Sequence, residues 1–507
     1  MKKIIAVALC IIMMVSMMSF NFAVSAEEYE LMSDVYVSAS GTDNAPGLEN
    51  DPCTRARAYV LVKDGGTIHI DGTVMLPDNF NFGSYNKSVT IIGDNTSSDV
   101  LDFSNMPESI NLGADMTFDY ISLKFNGHSV YANAHALVVG NNCATEGTVS
   151  VYGGGNGGSV NGNTSVTLLS GKYYKVYGGG NLCVVDGNTR VIIGGTADAI
   201  NVHGGGYGNR VTGNTYVWVG DNANGDCTVT DHSGSYYIIG GAYSGIVEGS
   251  TTVVFTGNAQ ANYIIGGMDG ADQYIGEGSN LYITGGKAMS AYGGSNSKDQ
   301  MSDVNVVMTG GEIEQLIGAG SGRSGVDVGH TGNVTIKLLG GTITRRVFGG
   351  CYNEYSLSGG WVTSGYVSGT ITLVIGDEAK ITFTYNDGLS SDHALSAQSR
   401  RKNVASDEEG VVIFTSDAAQ KNNSLKTGMV AGGDACKSQY VDANVIPAGD
   451  ANLDGEVTNA DVLAVMQNIY SPEKYPLFVD SVADVNTDND VTSVDLLIIY
   501  KMIYNAD

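Results

Sequence analysis

Two stretches near the C-terminus carry the densest chemistry in the chain. In GDANLDGEVTNAD, residues 449–461, oxygen-bearing side chains recur at alternate positions and the run bends through a glycine; ADVNTDNDVTSVD, residues 483–495, repeats the pattern 34 residues later. A 12-residue calcium loop needs oxygen ligands at positions 1, 3 and 5, a backbone carbonyl at 7, a water-linked group at 9 and a bidentate acid at 12, with a turn residue at 6. The first copy supplies Asp450, Asn452, Asp454, Glu456, Thr458 and Asp461 around Gly455. The second supplies Asp484, Asn486, Asp488, Asp490, Thr492 and Asp495 around Asn489. Asn tolerates the left-handed conformation better than other non-glycine residues, so the second loop is weakened rather than lost. A single D-x-N-x-D run is commonly a solvated acidic turn. Two in-register copies, each leading into an amphipathic stretch (ADVLAVMQNIY and VDLLIIYKMIY), argue instead for paired metal loops feeding two helices.

Such a module needs its metal to fold. Fewer than ~60 residues make a thin core, expected here from Val462, Leu463, Val465, Ile469, Leu496, Leu497, Ile499 and Ile503. Each loop also gathers carboxylates that repel until a cation neutralises them. Pro447 opposes a helix entering the first loop, and position 12 is Asp rather than Glu. These features of residues 449–507 resemble the type I dockerin module. The resemblance implies two Ca²⁺ ions, a cohesin domain of a scaffoldin as partner, and a place in the cell-surface cellulosome of an anaerobic bacterium. It also implies cohesin contacts at loop positions 10 and 11 and at helix positions 17 and 18. Those are Asn459, Ala460, Met466 and Gln467 in the first half and Ser493, Val494, Tyr500 and Lys501 in the second. Met466 and Tyr500 have a competing reading as helix core. The halves differ, so equal docking in two orientations is not assumed.

The 400 or so residues ahead of this module must form something else. Seventy glycines against seven prolines is an unusual ratio, and the glycines are periodic. VYGGGN begins at Val151 and again at Val176, VHGGGY at Val202, with weaker echoes at Ile238, Ile264 and Ala291. From Gly153 to Gly349 the first glycines of successive clusters are 25, 26, 36, 26, 27, 25 and 31 residues apart. Between them recurs a second phrase, GNTSVTLLSG, GNTRVIIGG, GNTYVWVG, GSTTVVFTG and GNVTIKLLGG, a β-branched run between turn signals. A repeat with two short strands and no helical period fits one coil of a parallel β-helix, whose coils stack at ~4.8 Å. The glycine clusters are assigned to tight corners, where positive φ strains other residues. Antiparallel blades are the rival, but each needs ~40 residues and four strands. If residues 66–385 stack in this way, roughly 13 coils give a rod of ~60 Å.

The opening DVYVSASGTDNAPG, followed by TRARAYVLVKD at 54–64 and DGGTIHIDGT, resembles the start of the pectate-lyase-like, right-handed β-helix superfamily. The chain is therefore expected to be mainly β: a right-handed parallel β-helix over 27–440, then a linker at 441–448 and the small all-α calcium-binding module. Within the β-helix an N-terminal cap is expected at about 35–65, Gly-rich repeats at about 150–350 and a terminal coil or cap at about 385–440.

Residues 1–26 read as a signal peptide, with MKK, an apolar run and VSA before a polar EEYE. Secretion follows, with no membrane anchor after cleavage. The chain holds 26 Lys and Arg against 53 Asp and Glu, a net charge of −27, which argues against nucleic acid as a partner. Beyond the leader, Cys53, Cys143, Cys183, Cys227, Cys351 and Cys436 are scattered singly, without zinc or redox spacing, and are left open between disulfides and buried thiols.

Plant cell-wall polysaccharide is the expected substrate or ligand of the β-helix, with two classes of function open. A non-catalytic rod would present Tyr152, Tyr177, Tyr207, Tyr243 and Tyr292 near successive glycine corners as a ladder for sugar rings. A lyase or hydrolase would need paired acids or a basic groove, yet no Asp-Asp pair occurs. Asp231 with His232 reads best as a loop, Arg345 with Arg346 as a solvated turn, and His203 has no catalytic companions nearby. Binding is the preferred reading.

Overall fold

Each β-branched run becomes a strand that pairs with its counterpart one repeat away. The computed structural model describes residues 31–268 except 79, 107–108, 221–227 and 230–236; 274–295; 302–320; and 327–382 except 331, 353–354, 357–359 and 362–363. It also describes the strands 395–396, 410–414 and 437–440, and residues 449, 451, 457–470, 483–486 and 490–504. Thr164–Leu168, Thr189–Ile193 and Thr215–Val219 show the rule, with buried residues at alternate positions and parallel in-register pairing. Val166, Val191, Val217, Val253 and Leu281 thereby form one inward column. This sheet has 15 strands, from Met32–Thr42 to Lys437–Tyr440. A second sheet has 13, and sheets of four and five strands complete the coils. Among the described residues the only antiparallel strand pair is Tyr355–Ser356 with Gly360–Trp361, so the blade alternative is excluded. The inward columns of the 15-, 13- and four-stranded sheets merge into one continuous apolar core, while Val247 and Ile275 of the five-stranded sheet pack with Ala242 and Met268 in a separate cluster.

The GNT phrase encodes two ladders along the rod. Thr164, Thr189, Thr215, Thr251 and Ser279 are buried, and each hydroxyl donates to the carbonyl of Gly178, Gly204, Gly240, Gly266 or Gly293 respectively, at 2.5–2.9 Å. Asn163, Asn188 and Asn214 each accept, through Oδ1, the backbone amide of the matching residue in the next coil, at 2.8–2.9 Å. These buried threonine and serine hydroxyls, and the coil amides that the asparagines receive, are thus satisfied within the protein.

One expectation fails here for an instructive reason. The leading glycines Gly153, Gly178, Gly204, Gly240, Gly266, Gly293 and Gly318 do not have positive φ. They are needed because coils stack too closely for a side chain: a Cβ on Gly204 would fall on the carbonyl oxygen of Gly240, and the same collision recurs up the column. Close backbone approach, rather than turn conformation, selects glycine.

The open end of the first coil is covered by a short helix, Arg55–Leu61, with Ala58, Tyr59 and Leu61 buried. Thr54 caps its start, and Lys87 Nζ donates to the Tyr59, Val60 and Val62 carbonyls at its end. Arg55 is also buried, its guanidinium carbon 3.6 Å from the Phe80 ring centroid and 4.6 Å from that of Phe82, so aromatic faces replace its hydration. Cys53, Cys143 and Cys183 are buried free thiols, and burial pushes the first two up to a pKa of about 11. Cys351 is buried as well, while Cys227 and Cys436 lie outside the described residues.

Candidate calcium loops and docking face

The second half of each acidic copy folds alike, because Thr-x-x-Asp is a reciprocal helix-start signal. Thr458 Oγ1 accepts from the Ala460 amide (3.2 Å), and Asp461 Oδ2 accepts from the Thr458 amide (2.7 Å). Thr492 and Asp495 repeat the pair, at 3.2 Å from the Val494 amide and 2.9 Å from the Thr492 amide. These caps open the helices Asn459–Tyr470 and Ser493–Tyr504. The acid expected at loop position 12 is therefore also the residue that starts the helix. Ordering the loop and nucleating the helix become one event.

Asp461 and Asp495 are fully buried. Asp495 Oδ1 additionally accepts from the Asn486 amide at 3.2 Å, tying the end of its loop to the beginning. Asp484 is buried, Asn486 half-buried and Asp490 exposed. Asp450, Asn452, Asp454, Glu456 and Asp488, with the turn residues Gly455 and Asn489, lie outside the described residues. Burying carboxylates is unfavourable without compensating positive charge, and the described donors are all oxygens. Such a set fits a hard cation such as Ca²⁺ rather than a thiolate-seeking metal.

The core of the module is small: Ala451, Val465, Ala483 and Ile499 are buried, with Val462, Ile469, Leu496 and Ile503 packed against them. The Asn459 carboxamide hydrogen-bonds the Tyr504 hydroxyl (2.8 Å from Nδ2), joining the start of one helix to the end of the other, so the two run antiparallel. Gly449, at φ +95°, packs between Val457, Ile499 and Met502 and closes the module where the chain enters it.

Leu463 and Leu497, expected in that core, are instead 48% and 50% exposed. The cause is helical geometry. Val462, Val465 and Ile469 form one i, i+3, i+7 stripe that faces inward, as do Leu496, Ile499 and Ile503; the residue after the first of each stripe is rotated about 100° away. Leu463, Met466 and Tyr470 form a second stripe of the same spacing, exposed, and Leu497, Tyr500 and Tyr504 repeat it 34 residues on. Of the expected cohesin contacts, Asn459, Ala460, Met466, Ser493, Val494, Tyr500 and Lys501 are exposed and Gln467 is half-buried. Met466 and Tyr500 are thus surface residues rather than core. Leu463, Leu497, Tyr470 and Tyr504 were missed on this face, although superposing the two copies in sequence aligns each pair.

The proposed sugar ladder of the long domain is altered by the same close stacking that selects glycine. Tyr152, Tyr177 and Tyr292 are buried. Tyr152 and Tyr177 stack on each other at 4.9 Å, and the half-exposed Tyr207 and Tyr243 stack at 5.1 Å, so these rings present faces to one another rather than to solvent. Arg345 and Arg346 lie in the strand Thr342–Phe348 instead of a turn, and Arg346 is buried with its Nη1 2.9 Å from the Tyr352 hydroxyl. Asp231 and His232 lie outside the described residues. Among the described residues no group of three or more His, Cys, Asp or Glu side chains is placed to hold a metal, most of the acidic-loop ligands falling outside them. No helix among them is long and apolar enough to cross a membrane.

Comparison with known proteins agrees with the C-terminal geometry. Residues 448–504 match the family model described as the dockerin type I domain. A search of curated proteins and one of solved structures find no match to the chain. Type I dockerin domains bind calcium and pair with cohesins, and proteins carrying them are typically extracellular components of cellulosomes. The chain thus ends in a dockerin type I domain, carried behind a body of stacked parallel β-sheets.

Proposed function

We propose that this is a secreted cellulosome component, freed of its leader at residue 26, whose dockerin holds two Ca²⁺ ions and anchors the β-helix to a cohesin of a scaffoldin. The first ion is bound by Asp450, Asn452, Asp454, Glu456, Thr458 and Asp461. The second is bound by Asp484, Asn486, Asp488, Asp490, Thr492 and Asp495. The β-helix over 27–440 binds plant cell-wall polysaccharide or presents itself to it. The observation that carries the docking reading is the duplicated stripe of exposed apolar side chains on the two helices, which a free soluble module has no reason to keep.

The contact surface comprises Asn459, Ala460, Met466, Gln467, Ser493, Val494, Tyr500 and Lys501, extended by Leu463 and Leu497. Large apolar anchors at the centre of an interface each contribute about 2 kcal/mol or more. The double variant Leu463→Asp, Leu497→Asp is expected to weaken cohesin binding at least ~30-fold, read by titration calorimetry. Both residues lie outside the helix core, so the circular dichroism of the calcium-loaded protein is expected to stay unchanged. Retained affinity in that variant would remove the two helices from the interface.

A further inference from the structure

The outer side of the second sheet holds a set of groups that the docking module does not use. Tyr131, Tyr152, Tyr177 and His203 stack in successive coils at 4.9, 4.9 and 4.7 Å. Tyr177 is fully buried and His203 is 2% exposed, yet Tyr177 OH and His203 Nδ1 have no hydrogen-bond partner among the described residues. Buried polar atoms are nearly always paired, and exceptions mark sites completed by water or ligand. Tyr207 and Tyr243 stand edge-on beside this floor, Tyr207 6.0 Å from Tyr177 and Tyr243 5.8 Å from His203. Lys175, on the same strand as Tyr177, has its Nζ 5.1, 5.9 and 5.7 Å from the ring centroids of Tyr174, Tyr207 and Tyr243.

Lys175 makes no salt bridge among the described residues, in a chain of net charge −27. An ammonium without a salt bridge among the described residues, held by three half-exposed tyrosines next to two orphaned polar groups, is complementary to a ligand that carries one anionic group and several hydroxyls. Burial, with the charge of Lys175 second, holds His203 down at a pKa of about 3, so it stays neutral and Lys175 supplies the positive charge here.

We propose that this cluster binds a uronate unit of an acidic polysaccharide. The sugar carboxylate pairs with Lys175 and draws its flexible stem off the floor. The sugar hydroxyls then reach Tyr177 OH and His203 Nδ1, and the C–H edges of the ring meet Tyr207 and Tyr243. The inference rests on the reading of the β-helix as a polysaccharide binder and narrows it to one site and one sugar class.

The test is calorimetry of the full chain at fixed calcium with an oligogalacturonide and with its methyl-esterified form, in which each carboxylate is replaced by an uncharged methyl ester. The acid form is expected to bind and the ester at least about tenfold more weakly, the share of one charge-assisted contact. Lys175→Met is expected to abolish that difference, and Lys172→Met, on the same strand but outside the cluster, to leave it intact. Equal binding of acid and ester, or unchanged binding in Lys175→Met, would overturn the site while leaving polysaccharide binding elsewhere on the rod. Absence of binding to either form, and to neutral xylan, would overturn the wider reading along with it.

Discussion

Chelating calcium from the full chain is expected to melt residues 449–504 and leave the stacked sheets standing. Among its described residues the module has four buried apolar residues, two of them alanine, and two fully buried carboxylates. A core of that size supplies no more than ~3–5 kcal/mol, and leaving the carboxylates without their cation removes an amount of the same order. Ligation works in the opposite direction: at a thousandfold excess over its dissociation constant each ion adds about 4 kcal/mol. Because Asp461 and Asp495 also cap their helices, loss of loop order removes the helix starts with it. Hydrogen exchange read by mass spectrometry is the suitable measurement. Helices Asn459–Tyr470 and Ser493–Tyr504 are expected to lose protection in chelator, while strands such as Thr189–Ile193 keep theirs. Persistent helix protection without metal would contradict the account of the module.

The second large effect belongs to the glycine column. Gly204→Val is expected to destabilise the surrounding coils by more than ~3 kcal/mol, beyond the usual range for overpacking alone. The added atoms would strike the Gly240 carbonyl, which already receives the Thr215 hydroxyl at 2.6 Å, so the inter-coil hydrogen bonds are lost along with the clash. Gly157→Ala provides the contrast. Gly157 has φ +74° but open space around its Cβ direction, so only backbone strain of about 1–2 kcal/mol is expected. In a solenoid each repeat contacts only its neighbours, so the damage at Gly204 is expected as local loss of exchange protection near 178–240. Equal effects at the two glycines would show that conformation, not close approach, selects this residue.

Much of this was legible in the sequence, for reasons that differ by element. The period of the glycine clusters and of GNT predicts parallel stacking, because the asparagine of the phrase meets its counterpart one coil away. What the glycines do was misread: period reveals that a position is special, but whether φ or a neighbouring backbone makes it so depends on inter-coil distance, which one strand does not encode. The tyrosines failed for the same reason. Residues spaced one coil apart lie about one ring-stacking distance apart, so they stack on each other, and a corner position in sequence does not reveal which side of the sheet is covered. In the dockerin the two helices and most of the exposed positions are legible in the repeat alone, whereas the caps at Thr458 and Thr492 are not. Nor are Leu463 and Leu497, because an apolar residue next to a core stripe looks like core until the helix phase is fixed. The orphaned pair Tyr177 and His203 had no sequence signal at all, since burial without a partner exists only in three dimensions.

The central claim is that a calcium-ordered C-terminal module plugs this chain into a cohesin. Titrating the purified full chain with an isolated type I cohesin, in millimolar calcium and again in chelator, tests it most directly. A saturable one-to-one complex that forms in calcium and disappears in chelator is the predicted result. A complex of equal affinity in both buffers, or none with the calcium-loaded protein across a panel of type I cohesins, would contradict it.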